Sequence, residues 1–127
     1  ALELDRFRLM AQPIVGIRGD SYHEVLLRMV GENGEIINPD SFLPVAHEFG
    51  LASRIDLWVL ENTLSFMNQH RQMLPGLRLA INLSPVSVSR SQFPEEVELR
   101  LARHGIEPWQ LIFELTENHS LTNPEQA

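Results

Sequence analysis

The sequence predicts an α/β fold with the element order β-β-α-α-β-α-β. Two observations carry that prediction. Short runs of alternating apolar and polar residues, the period of a strand, recur between longer segments whose apolar residues return every three or four positions. Gly, Pro and Asn punctuate the chain at fairly even intervals, with no internal repeat, low-complexity tract or linker. Strands separated by helices of ten or more residues imply crossovers and a mainly parallel sheet.

Each element has its own signal. Phe7 to Ala11 alternates and passes through Gln12-Pro13 into Ile14-Val15-Gly16-Ile17, a strand with a disturbed middle. Arg18-Gly19-Asp20 is a turn, and Ser21 to Met29 a second strand hairpinned to the first; residues 31–34 form a loop. Asn38-Pro39-Asp40-Ser41 starts a helix, with Asp40 or Ser41 as N-cap, Pro44 still in the first turn and Gly50 as the stop. Ser53 with Asp56 three residues later makes an acidic variant of the capping box. The helix it opens runs to about Gln72 and carries Leu57, Leu60, Leu64 and Met67 on one stripe before Pro75-Gly76. Leu77 to Leu83 alternates strictly, as a strand does. Phe93-Pro94-Glu95-Glu96 opens a helix through Leu101, closed by His104-Gly105, and Trp109 to Thr116 is the last strand. A further helix is expected from Asn118 onward.

Composition narrows the chemistry. At 127 residues and 43% hydrophobic content the chain has the size of a single domain. The absence of cysteine excludes a disulfide scaffold, a thiol nucleophile, a thiolate zinc site and an iron–sulfur cluster. All ten cations are arginine, so no lysine chemistry is available within these residues. The formal charge of −7 argues against long nucleic acid and anionic lipid as partners. A small anion remains accessible to an acidic domain if metal ions mediate the contact. No apolar run approaches the roughly 20 residues of a membrane span, and no basic segment with an apolar stretch opens the chain. The expectation is no direct membrane contact and a cytoplasmic location, alone or as the cytoplasmic part of a membrane-anchored parent.

Strand alternation then sorts the faces. Leu77, Leu79, Ile81 and Leu83 oppose Arg78, Ala80 and Asn82; Leu111, Phe113 and Leu115 oppose Gln110, Ile112, Glu114 and Thr116; Val25, Leu27 and Met29 oppose Glu24, Leu26 and Arg28. The apolar faces must meet the helices, so Glu24, Arg28, Asn82 and Glu114 share the other side. Asn82 and Glu114 also fall late in their strands, at the carboxyl edge where α/β folds place their sites. Taken singly, a strand Glu sits at an edge and an Asn caps a turn. Three strands agreeing in register favour a site. Two carboxylates and an amide oxygen form an all-oxygen set suited to Mg²⁺ or Mn²⁺, and Arg28 offers a planar fork for phosphate.

The same residues carry a resemblance. Gln12-Pro13-Ile14-Val15, Glu24-Val25-Leu26-Leu27-Arg28 and Pro39 to Ala46 resemble the opening of an EAL domain. Asp56-Leu57-Trp58-Val59-Leu60, Ala80 to Ser84 and Phe113 to Glu117 follow in the family's order and spacing. The resemblance implies a TIM-like (β/α) barrel whose first strand runs antiparallel to the second, here incomplete: residues 1–127 would be the N-terminal half of a single EAL domain. It implies cyclic di-GMP phosphodiesterase activity, the metal-assisted hydrolysis of one phosphodiester to the linear dinucleotide, with two metals clamping the phosphate. Glu24, Asn82 and Glu114 match metal ligands and Glu117 a glutamate that supports a neighbouring active-site loop. Gln12, Leu26 and Arg28 match positions that contact the guanine or phosphate of the dinucleotide.

Three departures shape the expectation. Val25 replaces the signature alanine, and Tyr22-His23 stands where the family has small residues. The family's paired aspartates, catalytic lysine and later glutamate and glutamine ligands have no counterpart within these residues. The chain alone is therefore expected to show no turnover, and to dimerise or otherwise self-associate through its open sheet. The alternative is a degenerate EAL domain acting as a cyclic di-GMP receptor, attached to a diguanylate cyclase (GGDEF) or sensor domain. His23, His47, His70, His104 and His119 show no metal-ligand spacing, Ser84 and Ser87 lack a His/Asp partner pattern, and Trp58 and Trp109 read as core anchors.

Overall fold

A computed structural model describes residues 6–15, 21–48, 50–74 and 76–115. Strands β1 (Phe7–Val15) and β2 (Ser21–Val30) are followed by the two-residue β3 (Ile36–Ile37) and helices α1 (Pro39–Glu48) and α2 (Ala52–Gln69). Then come β4 (Leu79–Leu83), the short α3 (Pro85–Val88), α4 (Phe93–His104), a single 3-10 turn at Pro108–Gln110 and β5 (Leu111–Leu115). The sheet order is β1-β2-β4-β5, with β3 added to β2. β1 pairs antiparallel with β2, whereas β2, β4 and β5 run parallel. The expected α/β architecture with an antiparallel first strand is present.

The register confirms the faces. Gln12 lies opposite Glu24, Glu24 opposite Ala80, and Asn82 opposite Glu114. The reverse face supplies the core: Phe7, Val25, Leu79, Ile81 and Leu83 are buried against Ile55, Val59, Leu60 and Leu64 of α2 and Phe93, Val97 and Leu101 of α4. Val25 thus points to the helices, away from the site. Phe7 stacks on Phe42 and meets Trp58 edge-on, which ties α1 and α2 to the first strand.

α4 begins with Pro94 in its first turn, beside Glu95 and Glu96, and ends with Arg103 and His104, matching the helix dipole at both ends. Gly105 closes it in the left-handed region (φ 68°), and the Ile106 amide reaches back to the Leu101 carbonyl, so a side chain at 105 would be strained. Glu61 of α2 receives Arg103 and His104, the latter at 2.7 Å, and joins the two helices.

Some local expectations shift. α1 starts one turn position earlier than Asp40, at Pro39, with the Ser41 amide on the Asn38 carbonyl, so Pro44 lies inside the helix. α2 ends at Gln69 rather than Gln72, and no side chain caps its start at Leu51. The Ser53–Asp56 capping box does not form, because Asp56 faces inward to other partners. β3 and α3, at two and four residues, are too short to show a period in the sequence. β5 begins at Leu111, after the 3-10 turn, so strand alternation does not reach Trp109, which is 56% exposed rather than in the core. The helix expected from Asn118 lies outside the described residues.

Candidate metal and phosphate site

Parallel pairing runs β2, β4 and β5 in one direction, and the period of two turns Glu24, Asn82 and Glu114 to one face of the sheet. The Asn82 Nδ2 donates to Glu24 Oε2 at 3.0 Å. The β2–β4 ladder spans only His23/Leu79 and Glu24/Ala80. Beyond it, the Asn82–Glu24 contact links these two strands on the site face.

All three residues are half-buried. Burial, and secondarily the charge of Glu24, raise the pKa of Glu114 above its ordinary value. Two carboxylates held together this way repel each other in the absence of a counter-charge. A cation between them would relieve both effects. With Nδ2 engaged on Glu24, Asn82 keeps its Oδ1 as a third oxygen donor. Among the described residues no three Asp, Glu or His converge, so the amide is what makes up a third ligand. The donor set fits a hard divalent ion.

Along β2, Leu26 and Arg28 continue the same face toward the carboxyl end, both half-buried, and Gln12 is exposed on β1 across from Glu24. One arm of Arg28, Nη1, donates to the Leu27 carbonyl at 2.8 Å, leaving the rest of the guanidinium fork for an anion. Glu117 and Thr116 lie outside the described residues. The structure therefore brings Glu24, Asn82 and Glu114 together, with Gln12, Leu26 and Arg28 on the same face.

One contribution was misread from sequence. Asp56 accepts the Ser84 amide at 3.0 Å, the Ser84 hydroxyl at 2.6 Å and the Ser87 hydroxyl at 2.5 Å on one oxygen. Its helical phase, one residue after Ile55 and three before Val59 on the buried side of α2, was the available signal.

An open, mixed sheet with an antiparallel first strand, helices on one side and an acidic, amide-lined face on the other defines part of an α/β barrel enzyme or binding domain. The family model for the EAL domain matches residues 1–127, and the chain belongs to that family. It is 64% identical over its whole length to cyclic di-GMP phosphodiesterase PdeF of Escherichia coli, of which it spans 17%. It is 32% identical over 119 residues to the bifunctional diguanylate cyclase/cyclic di-GMP phosphodiesterase MucR of Pseudomonas aeruginosa, spanning 16% of that protein. Among solved structures, the FimX EAL domain of Pseudomonas aeruginosa bound to cyclic di-GMP superposes with a TM-score of 0.79 at 31% identity. That match covers 97% of this chain and 50% of the FimX chain, so the present residues correspond to about half of such a barrel.

Proposed function

We propose that these residues form the N-terminal half of an EAL domain whose whole hydrolyses one phosphodiester of cyclic di-GMP to the linear dinucleotide. The observation that carries the reading is the placement of Glu24, Asn82 and Glu114 on one face of three adjacent strands, with Asn82 bonded to Glu24, in a chain so similar to a phosphodiesterase. Glu24, Asn82 and Glu114 would hold Mg²⁺ or Mn²⁺. Such an ion, when bound, neutralises phosphate charge and acidifies an attacking water. Arg28 binds a phosphate oxygen through its free arm, and Leu26 and Gln12 orient the nucleotide along β2 and β1. Glu117, two residues after Leu115 in the sequence, is assigned by the family resemblance the role of supporting a neighbouring active-site loop. No helix among the described residues is long and apolar enough to cross a membrane, and the acidic chain works on the cytoplasmic side, next to GGDEF or sensor domains of its parent.

The test is hydrolysis of cyclic di-GMP by the full-length protein with Mg²⁺ or Mn²⁺. Turnover that disappears in Glu24→Ala supports the reading; turnover unchanged in that variant refutes it. The 127-residue chain alone is expected to be inactive. A second reading is favoured by the FimX structure, an EAL domain holding cyclic di-GMP, together with Val25 in the signature. In that case the domain is a receptor, and the full-length protein binds the dinucleotide without consuming it.

A further inference from the structure

We propose that Asp56 is a positioning residue for Asn82, holding the carboxyl end of β4 so that the amide meets Glu24 and Glu114; the inference rests on the site reading above. β4 is paired along its whole length with β5, but its ladder to β2 stops at Ala80. Ile81, Asn82 and Leu83 therefore have no backbone bond holding them at a set distance from β2. Asn82 must nonetheless place its Nδ2 3.0 Å from Glu24 on that strand. A second restraint is needed, and it comes from α2.

Asp56 is buried at 8% exposure and collects three donors on Oδ2: the Ser84 amide, the Ser84 hydroxyl and the Ser87 hydroxyl. Ser84 follows Asn82 by two residues and is the N-cap of α3, its carbonyl receiving the Ser87 amide at 3.1 Å. Ser87 is fully buried, and its Oγ also lies 3.3 Å from Ser53 Oγ, where it can accept that hydroxyl's proton. One carboxylate thus fixes both ends of the turn that leaves β4. Charge-assisted bonds of this kind are short and directional, so they set a position as well as a distance. Three donors converge on the one oxygen. An amide at 56 that turned its nitrogen toward Ser84 and Ser87 would oppose donor to donor.

The experiment uses the full-length protein and Mn²⁺ as probe, titrated by electron paramagnetic resonance, with thermal melting run alongside. Asp56→Asn is expected to weaken Mn²⁺ binding about tenfold, the scale at which outer partners act on ligands. Ser87→Ala is expected to weaken it about threefold, whereas Ser84→Thr, which keeps the hydroxyl on Asp56, retains wild-type affinity. In an Asn82→Ala background, Asp56→Asn should cause no further loss, because a group acting through Asn82 has nothing left to position. A purely structural role would lower the melting temperature and leave this coupling at zero. Wild-type affinity in Asp56→Asn, or an undiminished loss in the Asn82→Ala background, overturns the inference. Should Asp56→Asn fail to fold, Ser87→Ala in the two backgrounds decides the matter by the same criterion. Indifference of Mn²⁺ binding to Asn82→Ala itself would instead defeat the site reading, and this inference with it.

Discussion

Replacing Asn82 by Asp turns its hydrogen bond to Glu24 into a repulsion. The Nδ2 to Oε2 distance is 3.0 Å. Two like charges at that separation would repel by about 1.4 kcal/mol in bulk water and by about 5.5 kcal/mol at the effective dielectric of a protein surface. The pair is half-buried, so the starting value lies between these limits, and rotation of two carboxylates away from each other lowers it. A net destabilisation of about 2 kcal/mol follows once the lost bond to a charged acceptor is included. For a chain of this length that lowers the melting temperature by roughly 8 °C. A divalent cation reverses the sign, since the variant presents three carboxylates where the wild type presents two. The assay is thermal melting of Asn82→Asp and wild type in chelator and in saturating Mn²⁺. The variant should melt lower in chelator and gain more from Mn²⁺. Equal melting in chelator, or a smaller Mn²⁺ gain in the variant, would refute the view that Glu24, residue 82 and Glu114 share one cation site.

Because the folded pKa of Glu114 is raised, the native state keeps its proton to higher pH than the unfolded chain does. Its contribution is fully present below its ordinary value and is lost as pH rises through the raised one, so metal-free stability should fall across that window. Urea midpoints measured against pH should flatten there in Glu114→Gln; an identical profile in the variant would contradict the assignment. Leu64→Ala, at a fully buried position facing the sheet, should cost about 2–5 kcal/mol in urea unfolding, and a loss below 1 kcal/mol would show that α2 is not packed as described. Among the described residues β5 pairs only with β4, and Phe113 and Leu115 on it are 40% and 62% exposed. The 127-residue chain by itself should therefore self-associate in light scattering, while a concentration-independent monomer would count against it.

The shared face of Glu24, Asn82 and Glu114 was legible in the sequence because its signal is local. Alternation alone places Glu24, Asn82 and Glu114 opposite the apolar residues of their own strands, whatever the neighbours are. The helix α4 was equally readable, since Pro94, the acidic first turn and Gly105 act within a few residues of themselves. Asp56 was not. Three residues after Ser53, it satisfies the local pattern of a cap, yet its partners Ser84 and Ser87 are 28 and 31 residues away. Trp109 was misplaced because the strand period was extended into a 3-10 turn, where side chains do not alternate.

What this sequence determined by itself is the α/β class, the antiparallel entry of β1 and which side chains share a sheet face. These follow from periodicity, turn chemistry and the need to bury one face of each strand. Only the tertiary structure decided that β4 inserts between β2 and β5, that its ladder to β2 ends at Ala80, and that a buried carboxylate from α2 secures the turn beyond Asn82. Those are choices among distant partners. Their energies depend on geometry that exists only once the chain has packed.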